Sequence, residues 1–467
     1  MASANDGAVT DHAIRYLMAK YSPSGNRIGW LMIASIFIEA WDLYSIAFIN
    51  IFLTHLYHPS ALLLGLTSAG TQGGAALGAL IGGWLSDKLG RRAVFLGTMI
   101  MFIVFGAAQA FAPDMVVLAV IRFFLGIPLG SDIANGYTYI MEALPQGKRE
   151  VMGNRWQFMF AFGEVVAGAV VALMFGLGVA PSMLWRVALG LSAVPALALF
   201  LLRLNLPETA VWLIQRGKFR EAKKVTMAMY DDPLDMLPDS DMEIPPPRIA
   251  NFLADIWRDS TKRRATLFGW IACAMQSLEF STFAFYLPVL LVLVGVSGIM
   301  GTDLITIGLY VVAAISGLVG PLITPRIGHR KLSMYGFGLV AVALVVTGIA
   351  MHANVRWIIP ITAAAMLWGH YWDAENVMTI PSMVAAPRYR GTAAGFAYLF
   401  VKLPAFVGIF LFPAFFDAIG KANATLFTAI FPVIGLLAAI FIFREVYGYV
   451  DGTQVAPSAS TYGSPPR

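Results

Sequence analysis

Twelve long apolar stretches, separated by mostly short polar turns, run through this chain. They cover about 28–55, 61–86, 93–112, 115–143, 151–178, 182–205, 266–295, 303–325, 332–352, 357–385, 391–417 and 421–443. A helix that crosses a bilayer needs roughly 20 predominantly apolar residues, and each stretch reaches that length. Several carry Gly or Pro inside, which helices in lipid tolerate better than helices in water. The pattern predicts an all-α polytopic membrane protein with twelve transmembrane helices, arranged as six, a polar gap, and six more.

Composition agrees with that reading. Of 467 residues, 58% are hydrophobic and 13% charged, whereas a soluble domain carries about 25% charged residues. The net charge of +5 is not a nucleic-acid signal, because the basic residues sit in short loops. One set of loops holds Lys88, Arg91, Arg92, Lys148, Arg149, Arg326, Arg330, Lys331, Arg388, Arg390 and Arg444, while the opposite set holds Arg356 and Lys421. Basic loops stay on the cytoplasmic side, so both termini are expected in the cytoplasm and the protein in the plasma (inner) membrane. The polar N-terminus lacks a basic segment followed by an apolar one, so no cleaved signal peptide is read. The single cysteine, Cys273, excludes an intramolecular disulfide.

These features predict five segments: a cytoplasmic segment 1–27, a six-helix bundle 28–205, a linker 206–265, a second six-helix bundle 266–443 and a tail 444–467. The linker opens on PETAVWLIQRGKFREAKKV, which reads as an amphipathic helix on the inner membrane face. It continues through DDPLDMLPDSDMEIPPPR, which reads as irregular. The tail after Asp451 has the composition of a disordered segment. The bundles echo each other. GGWLSDKLGRR follows the second run and GPLITPRIGHRK the eighth; Gly82 and Gly320, like Gly90 and Gly328, stand 238 residues apart. Duplicated halves point to a transporter with its site between them.

These residues carry a resemblance. The chain resembles the major facilitator superfamily over nearly its whole length, through GGWLSDKLGRR between the second and third runs. It is similar to the branch of sugar porters, phosphate:proton symporters and organic-acid symporters, through RFFLGIPLGSD with Glu142, Trp185–Arg186 and PETAVWL. The resemblance implies the major facilitator fold of two pseudo-symmetric bundles, with the first, fourth, seventh and tenth helices lining the cavity. It also implies that Asp87 packs at the start of the eleventh helix when the inside is closed, with Arg91 or Arg92 pairing Glu142.

Ionisable side chains at mid-bilayer cost roughly 2.5–3.5 kcal/mol on insertion scales, so each needs a partner, a wet cavity or a changed protonation state. Asp42 stands where related symporters carry a proton-coupling aspartate; the alternative is an aspartate fixed by a neighbouring helix, and Glu39 is a nearby candidate partner. Asp132 falls where phosphate symporters have an acid and is expected to contact proton or substrate. Gly126 and Gly130 before it read as close packing. Gln157 and Glu164 share a face of the fifth helix; Gln276, Glu279 and Ser281 lie on the seventh. Glu164 and Ser281 replace the glutamine and asparagine usual in sugar porters. Asp373, Asn376 and the aromatics of WGHYWDAENVM crowd the tenth run. Lys402, on the eleventh, is read as attracting an anion or neutralising Asp42 or Asp132, against a fixed salt bridge with Asp373 or Glu375.

The expected function is secondary active transport, by proton-coupled symport of a small polar anion such as phosphate or an organic acid. The proton-coupling candidates are Asp42 and Asp132. The substrate candidates are Gln157, Glu164, Gln276, Glu279, Ser281, Asp373, Asn376 and Lys402. The gating candidates are Asp87, Arg91, Arg92 and Glu142. A sugar or polyol transporter and a non-transporting nutrient sensor are the alternatives. No P-loop, His/Cys metal cluster or GxSxG is present, so no enzyme, cofactor or metal is expected. The expected partners are the bilayer, a small-molecule substrate and protons, with the monomer as working unit. Pro325 replaces aspartate in the second copy of the loop motif, so its lock is expected to be looser.

Overall fold

The computed structural model describes residues 4–283, 287, 291 and 299–449. Among them, every ordered element is helical. The first six apolar runs form α2 (Gly25–Tyr57), α3 (Ala61–Leu89), α4 (Arg91–Gln109), α5 (Met115–Ala143), the pair α6 (Lys148–Asn154) and α7 (Trp156–Gly176), and the pair α8 (Pro181–Gly190) and α9 (Ala193–Arg203). The seventh begins in α13 (Ser260–Phe283); most of 284–295 lies outside the described residues. The eighth and ninth form one element, α14 (Ile299–His352), broken at Gly328 with φ 82°. The tenth is α15 (Ile359–Asp373) and α16 (Thr379–Val384), the eleventh α17 (Arg390–Ile419), the twelfth α18 (Lys421–Thr428) and α19 (Ile430–Phe441). Eight stretches among the described residues are long and apolar enough to cross a membrane by themselves.

Local signals set several helix starts. Ser60 caps α3 by accepting from the Leu63 N–H at 3.2 Å, and Asp114 caps α5 through the Val117 N–H at 2.8 Å; side-chain acceptors satisfy donors that a helix start leaves free. Close approach explains the glycines of α3 and α5. A Cβ on Gly126 would run into the Thr71 carbonyl oxygen, and one on Gly130 into that of Ala75. The two halves meet chiefly where α17 lies along α3 and α14 along α7.

Outside the membrane runs, the structure corrects the sequence reading twice. The start of the linker forms α10 (Ala210–Gln215) and α11 (Phe219–Tyr230), whose apolar residues Val211, Trp212, Leu213, Phe219 and Ala222 are buried within the protein rather than turned to lipid. The linker helix with an open apolar stripe is α12 (Ile249–Arg258): Ile249, Leu253 and Trp257 are exposed at four-residue spacing, while Phe252 and Ile256 are buried. Residues 231–248 carry no helix. The N-terminal segment forms α1 (Ala4–Ala19), with Ile14, Leu17 and Met18 buried. Lys20 and Tyr16 both donate to Asp232 and tie α1 to the linker. The expectation for 452–467 lies outside the described residues.

Candidate functional site

A small cavity of about 40 Å³ lies between the two halves. α2, α3 and α7 give it Tyr44, Gln72 and Gln157; α13 and α15 give it Gln276, Ser277, Ser281 and His370; α17 gives it Lys402. Trp156, Phe160 and Phe280 supply apolar walls. Of the substrate candidates, Gln157, Gln276, Ser281 and Lys402 line this space, and Glu164, Glu279, Asp373 and Asn376 do not. Two buried amide groups on the wall lack a partner: Nε2 of Gln157 and Oε1 of Gln72. One is a donor and the other an acceptor.

Asp42, Asp132 and Glu39 of the N-terminal half are held by cations. Asp42 Oδ2 lies 3.2 Å from Arg122 Nη1 on α5. Gln109 donates to Asp42 Oδ1 at 2.9 Å and Thr71 to Oδ2 at 3.3 Å. Arg203 at the end of α9 places Nη1 3.0 Å from both oxygens of Asp132, which also accepts from Ser35 and, at 3.1 Å, from Thr98. Asp132 therefore has the packing rationale that sequence reasoning did not find: it is locked inside the half. Lys402 donates to Glu39 on α2, and so does Tyr398. The salt bridge expected for Lys402 with Asp373 or Glu375 is not the one observed, since its partner is Glu39, an acid of the opposite half. Arg122 was read only as part of RFFLGIPLGSD, and Arg203 went unassigned because it stands near the end of its apolar run.

Glu164 of the N-terminal half and the acids on α13 and α15 of the C-terminal half are held differently. Tyr371 donates to Glu164 across the interface at 2.6 Å. His370 Nδ1 is 3.1 Å from Glu279 Oε1 and 3.7 Å from Asp373 Oδ1, with its ring stacked on Phe280 at 4.1 Å. Asn376 sits behind the cavity, donating to the His329 carbonyl at 2.9 Å and accepting from Ser333 at 3.1 Å. Asn135 does the equivalent work in the first half, donating to the Arg91 carbonyl at 2.7 Å.

The basic-loop face is closed by residues of the loop motif. The Asp87 carboxylate accepts from the Gly391 N–H at 3.0 Å, the Thr392 N–H at 2.7 Å and the Thr392 hydroxyl at 2.8 Å. These are first-turn donors of α17, whose own capping residue, Tyr389, offers no side-chain acceptor. Arg91 holds Glu142 through Nη2 at 2.6 Å and Nε at 3.1 Å and reaches Asp87 at 3.3 Å. Arg92 takes a different part: its N–H and that of Arg91 donate to Glu208, each at 3.0 Å. Glu445 repeats this in the second half, accepting from the N–H groups of His329 and Arg330 at 3.1 and 3.0 Å. His329 stands where Arg91 stands in the first half, and both of its ring nitrogens lack partners.

Residues 23–450 match the family described as "Sugar (and other) transporter". The chain belongs to this family, within the major facilitator superfamily. Among its curated relatives, the probable metabolite transport protein CsbC of Bacillus subtilis is 26% identical, with 80% of each chain covered. The glucose transporter GlcP of Staphylococcus epidermidis is 26% identical over 79% of this chain and 82% of its own. The structure superposes on the partially occluded, inward-open xylose transporter XylE of Escherichia coli with a TM-score of 0.70, at 18% identity, covering 89% of this chain and 97% of that one. This sugar-transporter family member is accordingly a multi-pass secondary transporter with the major facilitator fold.

Proposed function

We propose that this transporter moves a neutral polyhydroxylated molecule, a sugar or polyol, together with protons. The observation that carries the reading is the cavity wall: unpartnered amide groups of Gln157 and Gln72 face a space where Lys402 is already engaged by Glu39. A buried site built to hydrogen-bond hydroxyls rejects ligands that leave its groups unpaired. An anion would meet a lysine whose charge is already matched, so the phosphate or organic-acid expectation loses the residue it rested on. The relatives named for glucose and inositol, and a structural neighbour titled a proton:xylose symporter, support the same substrate class.

In this reading Asp42 is the proton-coupling group. Protonation removes its charge from Arg122, which then turns to its remaining acceptors, Gln109 Oε1 at 3.0 Å and the Thr67 carbonyl at 2.8 Å. The basic-loop face is cytoplasmic, as are both termini, the protein works as a monomer, and Asp87, Arg91 and Glu142 form the inner gate. The test is uptake into proteoliposomes of labelled glucose, xylose, myo-inositol, phosphate and citrate, with and without a protonophore. Protonophore-sensitive accumulation of a neutral compound is the expected result. Accumulation of an anion alone, or binding with no uptake of any compound, would overturn it.

A further inference from the structure

The buried acids differ in whether a cation holds them. Asp42, Asp132, Glu142 and Glu39 each face an arginine or lysine. In the C-terminal half, Glu279 and Asp373 are both fully buried and have no such partner among the described residues. Both oxygens of Asp373 and Oε2 of Glu279 lack any hydrogen-bond partner. Ligand-capable atoms of Glu279, Asp373 and His370 lie within 4.8 Å of one another. The titratable groups around them add no fixed cation. On the same segment stand Tyr371 and Glu375, from α7 comes Glu164, and Tyr44 and Tyr310 come from α2 and α14. Across the cavity Lys402 is held by Glu39.

Two bare carboxylates this close, out of water, cannot both stay charged. Removing a single partner from a buried ion pair already costs about 3–5 kcal/mol, and here two negative charges would share one site with no fixed cation among the described residues. We propose that Glu279 and Asp373 share one exchangeable proton beside His370, forming a second proton-holding site in the C-terminal half. His370 lines the cavity wall and connects the pair to it. The proton enters from the cavity, and the oxygens of the two carboxyls are its alternative carriers. The site is separate from Asp42, which lies in the other half and has its own arginine.

The pair is tested directly on the purified full-length protein by infrared difference spectroscopy, with Glu279→Gln, Asp373→Asn and the double variant. The expected wild-type spectrum contains a carbonyl band of a protonated, deuterium-exchangeable carboxyl that the double variant lacks. No such band, or a band that survives in the double variant, would overturn the proposal. So would loss of the wild-type band on adding sodium or zinc ions, which would make this a metal-ion site. A second measurement rests on the proton-coupled reading above. At a pH difference of one unit, each coupled proton supports about tenfold accumulation. The wild type is expected to reach about a hundredfold if both sites are coupled, and Asp373→Asn about tenfold. Failure of every compound to accumulate would refute the transport reading while the infrared result still decides the proton site.

Discussion

Asp87→Asn isolates the latch on the basic-loop face. The wild-type carboxylate receives three hydrogen bonds from the start of α17, at 3.0, 2.7 and 2.8 Å, with Arg91 alongside at 3.3 Å. Hydrogen bonds to a charged group contribute about 1.5–3 kcal/mol each, against about 1 kcal/mol for neutral ones. An asparagine keeps one acceptor oxygen but turns an NH₂ group toward a backbone donor. It therefore loses the charge and leaves at least one N–H unsatisfied, at about 1–3 kcal/mol. The closed face is then weakened by about 2–4 kcal/mol, a shift of about 30- to 1,000-fold in its population. The assay is alkylation of a cysteine introduced at Ala394, which is fully buried in the closed state, with Cys273→Ala as background. A membrane-impermeant maleimide applied to the basic-loop face should label this site at least about 30-fold faster in Asp87→Asn. A rate within about twofold of the parent would refute the assignment of Asp87 as the latch, because a shift that small corresponds to under about 0.5 kcal/mol.

Four further outcomes follow from the same geometry. Asp42→Asn should leave exchange of a bound neutral substrate intact while abolishing its accumulation against a gradient, read by counterflow and by net uptake. Arg203→Met should destabilise the first half by about 3–5 kcal/mol, since it strands the buried Asp132 carboxylate, and a thermal-shift assay in detergent reads the loss. A single change in Gly320–Lys331 should impair transport less than Asp87→Asn, because Pro325 supplies no carboxylate there and His329 holds no acid as Arg91 does. The strap between α1 and the linker should depend on pH. The hydrogen bond from Lys20 holds the Asp232 carboxyl below the ordinary carboxylate range. Its contribution is present above the unfolded value and lost as pH falls through the lowered one, so limited proteolysis of α1 should accelerate in acid.

The apolar runs determined a great deal alone, because helix formation in lipid follows from local composition and length. The runs, the break after the sixth and the repeat at Gly82 and Gly320 were legible from the sequence pattern, whereas the placing of Asp87 against the eleventh helix came from the family resemblance. The close packing of Gly126 and Gly130 was legible too, since a four-residue spacing puts both on one helix face. Charge partners were not legible. Glu39 and Lys402 lie 363 positions apart in the chain and in different halves. Arg203 reaches Asp132 from the end of another helix, and Tyr371 reaches Glu164 from the other bundle. Sequence spacing gives the face of a helix but not which face of which neighbour it meets. Tertiary packing alone decided that Lys402 is neutralised, that Asn376 supports a turn, and that Glu279 and Asp373 stand together without a fixed cation among the described residues.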